Sequence, residues 1–183
     1  MPYPSLAEVK VYEIPDEHHA WPWRPRFLLM LDNPHITQTT PRLTAVIHLT
    51  IPKDQIRNVM GPGLGELMAT LAAQGIEPTG PWFDHHFTMA PDHWDFEIGV
   101  PVSAPVVPAG RVQPGQWPAM TVARAVLHGD YEGLADAWGE FLDWMAANGH
   151  TPAEDQYQCY VTGPESSPDP ATWRTELIKR LRP

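Results

Sequence analysis

Ala72-Ala73-Gln74-Gly75-Ile76-Glu77-Pro78 recurs as Ala146-Ala147-Asn148-Gly149-His150-Thr151-Pro152. Each copy reads as a helix stop: glycine supplies the left-handed position after the last turn, and proline blocks continuation. Working outward from both copies, the order of elements also repeats. A β-branched run ends in a histidine (His48, His128), and a helical stretch then closes on the repeated signature. An aromatic strand follows, and a further strand opens with Trp-x-x-Glu, Trp94 to Glu97 and Trp173 to Glu176. The pattern predicts an α+β fold, a tandem β-α-β-β repeat forming an antiparallel sheet with helices on one face. A small-molecule pocket is expected at the pseudo-symmetric seam between the two units.

The first repeat is expected over about 35–102, a linker over 103–118 and the second repeat over about 119–183. Residues 34–183 thus form the domain, and 1–33 an N-terminal extension. In the first unit Leu43 to Ile51 reads as a strand, and Pro52 opens a helical turn through about Val59. Gly61-Pro62-Gly63 is expected to break that helix, and a second piece runs from Leu64 to Gln74. Its apolar face is Leu64, Leu67, Met68 and Leu71. Trp82 to Met89 and Trp94 to Val102 read as strands. Pro105, Pro108 and Pro114 mark the linker as a crossing connection between the halves and not a domain boundary. In the second unit Met120 to Leu127 is a strand, and Asp130 is placed to cap a helix. Leu134, Trp138, Phe141, Leu142 and Met145 form the apolar face of that helix. Tyr157 to Thr162 and Trp173 to Leu181 complete the sheet. In the extension, Glu8 to Glu13 alternates like an edge strand, and His18 to Pro25 is too rich in proline for a helix. Phe27 to Leu31 is apolar enough to pack onto the domain, so the segment reads as a clasp or as a partner contact.

The chain of 183 residues suits one domain with a real core, at 43% hydrophobic and 19% charged residues. Its formal charge of −10 excludes direct nucleic-acid binding, which needs basic clusters, and favours cationic ligands wherever the acidity faces a pocket. Cys159 is the single cysteine, so no disulfide forms within the chain, and a reducing, cytoplasmic compartment is expected. In an apparent strand it reads as a buried, inert thiol. No basic stretch followed by an apolar run opens the chain, and no apolar run approaches the roughly 20 residues of a membrane span.

Other chemistries fit poorly. There is no G-x-S-x-G nucleophile elbow, and Gly61-Pro62-Gly63-Leu64-Gly65 lacks the Lys-Ser/Thr of a phosphate loop. Asp84, His85, His86, Asp92 and His93 crowd one hairpin, but adjacent strand residues point to opposite faces, so His85 and His86 cannot chelate together. Neither a metal nor a cofactor is expected.

Three further stretches carry a resemblance. They are Gly80-Pro81-Trp82-Phe83 with Trp94-Asp95-Phe96-Glu97-Ile98-Gly99-Val100-Pro101-Val102, then Ala125-Val126-Leu127-His128-Gly129-Asp130-Tyr131-Glu132-Gly133-Leu134, and finally Tyr160-Val161-Thr162-Gly163-Pro164 with Pro168 to Glu176. In that order they resemble the GyrI-like effector-binding domain, over about residues 35–182. The resemblance implies a tandem pair of β-α-β-β modules. It further implies a role among drug-sensing domains of transcription activators, stand-alone binding proteins, or hydrolases of cyclopropane-containing alkylators. In that family a glutamate on the last strand lies among aromatics in the pocket, and the matching residue is Glu176. The chain departs from the family where the first unit's usual tyrosine is replaced around His85-His86, and where the last strand ends in Lys179-Arg180.

The expected function is binding of a hydrophobic, aromatic or cationic small molecule. Glu176 would supply charge, with walls from Trp82, Phe83, His86, Phe96, Tyr131, Trp138 and Tyr160 holding the ligand by stacking and cation–π contacts. Trp138 also suits a core role on its helix, and Glu97 is the repeat mate of Glu176. The first alternative is a hydrolase with Glu176 as general base and Tyr160 assisting. The second is an interaction or inhibitor module, with a regulator protein or a second copy as partner.

Overall fold

The computed structural model describes residues 31–183. The elements are β1 (Leu31–Gln38), β2 (Arg42–Pro52), α1 (Ile56–Gln74), β3 (Phe83–Met89), β4 (His93–Pro101), β5 (Gln113–Trp117), β6 (Thr121–His128), α2 (Leu134–Ala147), β7 (Pro152–Thr162) and β8 (Arg174–Leu181). The eight strands form one sheet in the order β1-β6-β8-β7-β3-β4-β2-β5, antiparallel throughout. This is the expected α+β class. The units β2-α1-β3-β4 and β6-α2-β7-β8 occupy opposite halves and meet where β3 pairs with β7, from Phe83↔Cys159 to His86↔Gln156.

The repeated signature ends both helices as its residues dictate. Gly75 takes φ 65° and Gly149 φ 74°. Around them Ile76 N–H donates to Leu71 O at 3.0 Å, and His150 N–H to Met145 O at 2.9 Å. These bonds absorb carbonyls that the helix itself leaves unpaired. Asp130 accepts from Glu132 N–H at 3.0 Å, capping the short 3-10 turn Tyr131–Gly133 that leads into α2.

One expectation is corrected here. Gly61-Pro62-Gly63 does not break the first helix; α1 runs unbroken through Pro62. Gly63 explains this, because a Cβ there would meet Ile98 Cδ1 at 2.7 Å. The missing side chain lets the helix lie directly on β4, and packing outweighs the poor local propensity. The connection over 103–118 carries an additional strand, β5. Its earlier part is fastened to α1: Gln74 exchanges two 2.8 Å hydrogen bonds with Val107, and Glu66 accepts two bonds from the Arg111 guanidinium. The domain boundary expected at 33/34 falls within β1. Both unforeseen strands contain a proline (Pro34, Pro114) and both are edge strands, where a missing N–H is tolerated. Each joins the outer edge of the other half, β1 on β6 and β5 on β2. The alternating strand read at 8–13 and the apolar run at 27–30 lie outside the described residues.

Both helices cover one face of the sheet. Under α1, Leu67 and Leu71 pack on Ala45, Ile47, Phe96, Ile98 and Val100. Under α2, Trp138, Phe141 and Met145 pack on Ala123, Ala125, Leu127 and Leu177. Met68 and Leu142, read as core-facing, are exposed. Strand alternation turns Val46, Phe83, Trp117, Val122, Tyr157, Cys159 and Ile178 to the opposite face, where they form a third apolar cluster. Among the described residues no helix is long and apolar enough to cross a membrane.

Candidate functional site

The helix-free face is hollowed into a cleft of about 510 Å³ beside the seam. Its position follows from alternation along paired strands. Phe83, His85 and Phe87 project from β3, Glu97 from β4, Trp117 from β5, Asp155 and Tyr157 from β7, and Arg180 from β8. Gly99 makes room for the floor, because a Cβ there would overlap Phe83 Cζ at 2.2 Å. The aromatic wall is continuous. Tyr157 stacks on His85 (3.8 Å, 8°) and Trp117 on Tyr157 (4.4 Å, 27°), while Phe83 meets Trp117 edge-on and Phe87 leans over His85.

Charge is arranged along a single line. The Arg180 guanidinium donates to Asp155 Oδ1 at 2.7–2.8 Å. The other oxygen of Asp155 lies 3.3 Å from His85 Nε2, and His85 Nδ1 lies 3.3 Å from Glu97 Oε1. Burial opposes ionisation of Asp155, but hydrogen bonds from His85 and Arg180 prevail and hold its carboxyl down at about 2. Burial likewise opposes the His85 imidazolium, yet the bonds to Asp155 and Glu97 outweigh it and raise the pKa above the usual value. The Tyr157 phenol is pushed up by burial and by the neighbouring carboxylates, so it stays neutral. Two carboxylates, Asp155 and Glu97, thus share one guanidinium and one imidazole, while Glu154 stands exposed at the rim. Among the described residues, no three His, Cys, Asp or Glu are grouped to hold a metal ion.

The residues expected to form the site are divided between the two faces. Phe83 lines the cleft. Glu176 lies on the same face but outside the cleft, and it accepts a 2.5 Å bond from Arg124. The Arg174 guanidinium, two residues away in sequence, instead donates to the carbonyls of Ala171 and Trp173. Trp82, His86, Phe96, Tyr131, Trp138 and Tyr160 lie on the helix side. There Trp82 stacks on Tyr160 (3.8 Å), Tyr131 meets Tyr160 edge-on, and His86 stacks on Phe96 (5.1 Å). The Tyr160 hydroxyl donates to the buried Asp84 at 2.6 Å, which also accepts from Gln158; Trp138 Nε1 donates to Gln158 at 3.4 Å. Tyr160 pairs with Thr175, so Glu176 projects through the opposite face and the two groups expected to cooperate in hydrolysis do not converge.

His85, Phe87, Trp117, Asp155 and Tyr157 were not singled out together from the sequence. The signal that finds them is alternation: Phe83-x-His85-x-Phe87 shares one face, and antiparallel pairing sets Glu97 opposite His85.

Solved structures share this fold at low sequence identity. A cryo-EM structure of an EcmrR–DNA complex superimposes with a TM-score of 0.74 at 17% identity, over 86% of this chain and 59% of that one. The chain thus spans about three-fifths of that EcmrR chain's length. The isolated EcmrR C-terminal domain gives 0.72 at 18% identity, over 82% of this chain and 97% of that one. SAV2435 bound to tetraphenylphosphonium gives 0.60 at 10% identity, covering 82% and 94% of the respective chains. No curated protein matches the chain in sequence. The model of the GyrI-like small molecule binding domain matches residues 32–182, nearly all of the sheet and both helices, and the chain belongs to that family.

Proposed function

We propose that the helix-free cleft binds a hydrophobic aromatic cation, in a sensing or sequestering role. The observation that carries this is the convergence of an unbroken aromatic wall and the Glu97 and Asp155 carboxylates in one cleft of about 510 Å³. Aromatic faces attract cations and stack on planar groups, and partial desolvation strengthens both effects. Glu97 supplies the charge, since its repeat mate Glu176 is already engaged by Arg124. The acidity of the whole chain adds a long-range attraction for cations.

Tetraphenylphosphonium is a suitable probe because SAV2435 has been solved with it and because its charge does not titrate. Trp117 in the wall reports binding by fluorescence quenching. A carboxylate about 5 Å from a bound cation contributes about 3 kcal/mol at an effective dielectric near 20, before salt screening. Glu97→Gln is therefore expected to weaken the phosphonium at least tenfold while changing binding of neutral triphenylphosphine oxide less than about threefold. Equal losses for both compounds, or no saturable quenching by the cation, would count against the reading.

A further inference from the structure

His85 sits between two carboxylates, and its stereochemistry decides how many of them it can satisfy. Nδ1 faces Glu97 and Nε2 faces Asp155, each at 3.3 Å. A neutral imidazole carries one N–H, so one of those carboxylates would face a bare lone pair; the imidazolium donates to both. We propose that His85 determines specificity by competition: a proton on its imidazole and an organic cation in the cleft vie for the same carboxylates, so that cation binding expels a proton. The inference rests on the cation-binding reading above and adds its linkage to protons.

The surroundings of His85 favour such an exchange. From β4 it faces Glu97, and from β7 it faces Asp155 and Tyr157, with Arg180 of β8 held beyond Asp155. Phe87 covers its other side and meets the exposed His48 of β2, which is engaged by Asp95. Glu154 stands exposed at the cleft rim, its charge acting on Lys179. Arg180 keeps its charge throughout and Tyr157 stays neutral, leaving His85 as the cationic group of the cleft able to discharge near neutrality. Its side chain is only 10% exposed, so a bound cation and an imidazolium would repel each other with little screening. The raised His85 pKa places the exchange at and above the ordinary value of 6.5. Below it the free cleft holds a proton that must leave, so affinity falls as pH falls, by up to about tenfold per pH unit for one proton displaced. Once pH has passed the folded value, the affinity is level.

The test is phosphonium binding to the full chain from pH 5.5 to 8.5, by fluorescence and by calorimetry in phosphate and Tris, whose ionisation enthalpies differ. Between pH 6 and 7 a buffer-dependent heat is expected, corresponding to release of up to one proton per ligand. His85→Gln, which keeps a donor beside the carboxylates, should flatten the pH profile, and triphenylphosphine oxide should show none in either protein. Phosphonium binding with a constant Kd and no proton release in the wild type would overturn the competition while leaving cation binding intact. A persisting pH dependence in a folded His85→Gln variant would assign the proton elsewhere and overturn it as well. No phosphonium binding at any pH would remove the cation reading, and this inference with it.

Discussion

Asp155→Asn is a perturbation whose effect on stability has a characteristic pH shape. Asp155 holds Arg180 and one side of His85, and its carboxyl lies at about 2 in the fold against 3.8 ordinarily. That gap corresponds to about 2.4 kcal/mol at about 1.36 kcal/mol per pH unit. The Arg180 side chain is 49% exposed, so solvent screening reduces the contribution to about 1–1.5 kcal/mol. A depressed carboxylate stabilises the fold above its unfolded pKa, and the benefit is lost as pH falls through 3.8 toward about 2. His85 works in the opposite sense: its pKa is raised, so its contribution is complete below 6.5 and fades as pH climbs through the folded value. Asparagine at 155 removes the first and the share of the second that Asp155 supplies, while Glu97 still faces His85. The difference in unfolding free energy between wild type and Asp155→Asn should therefore be greatest at about pH 4–6, shrink partly toward pH 8.5, and vanish toward pH 2. Urea denaturation at half-unit pH intervals, followed by tryptophan fluorescence, measures it directly. A difference that is flat with pH, or that grows below pH 4, would refute the reasoning.

Two further outcomes follow from packing. Gly99→Ala would drive a Cβ to 2.2 Å from the Phe83 ring, displacing the cleft floor. A loss of about 1–3 kcal/mol in urea unfolding is expected, together with weaker ligand quenching, and wild-type stability would count against this account. Burial pushes the Cys159 thiol well up, so in the native state it should resist Ellman's reagent and react only as the chain unfolds. Stoichiometric labelling within minutes under native conditions would contradict its buried position.

The parts of the fold that were legible in the sequence are those fixed by local chemistry. The two A-A-[QN]-G-x-x-P stops were readable because a left-handed glycine followed by proline ends a helix whatever surrounds it. Strands β2, β6 and β8 were readable from β-branched and alternating runs. What depended on distant partners was not. The fate of Pro62 hangs on Ile98 lying under Gly63, and β1 and β5 are strands only because an outer edge in the opposite half accepts them. The site was half legible for a related reason. Alternation separates Phe83, His85 and Phe87 from Asp84 and His86, yet which set faces the helices depends on the whole sheet. His86, expected among the pocket walls, instead lies beneath the helices, stacked on Phe96.

The near-symmetry of the two halves sharpens the argument for where ligand chemistry lies. Glu97 and Glu176 occupy matching places, each three residues after a tryptophan and each on the helix-free face. Their neighbours differ. Glu97 stands opposite His85 on one side and His48 on the other, whereas Glu176 stands opposite Cys159 and Val126 and is engaged by Arg124. The first half therefore surrounds its carboxylate with titratable and aromatic groups and leaves a cleft before it. The second surrounds its own with inert groups and a fixed counter-charge. A shared scaffold positions both glutamates, so the difference between their surroundings arises from a handful of side chains. On the proposed reading, a cation entering the first half would meet a carboxylate whose neighbour His85 can give up its proton; in the second it would have to displace a guanidinium that cannot discharge.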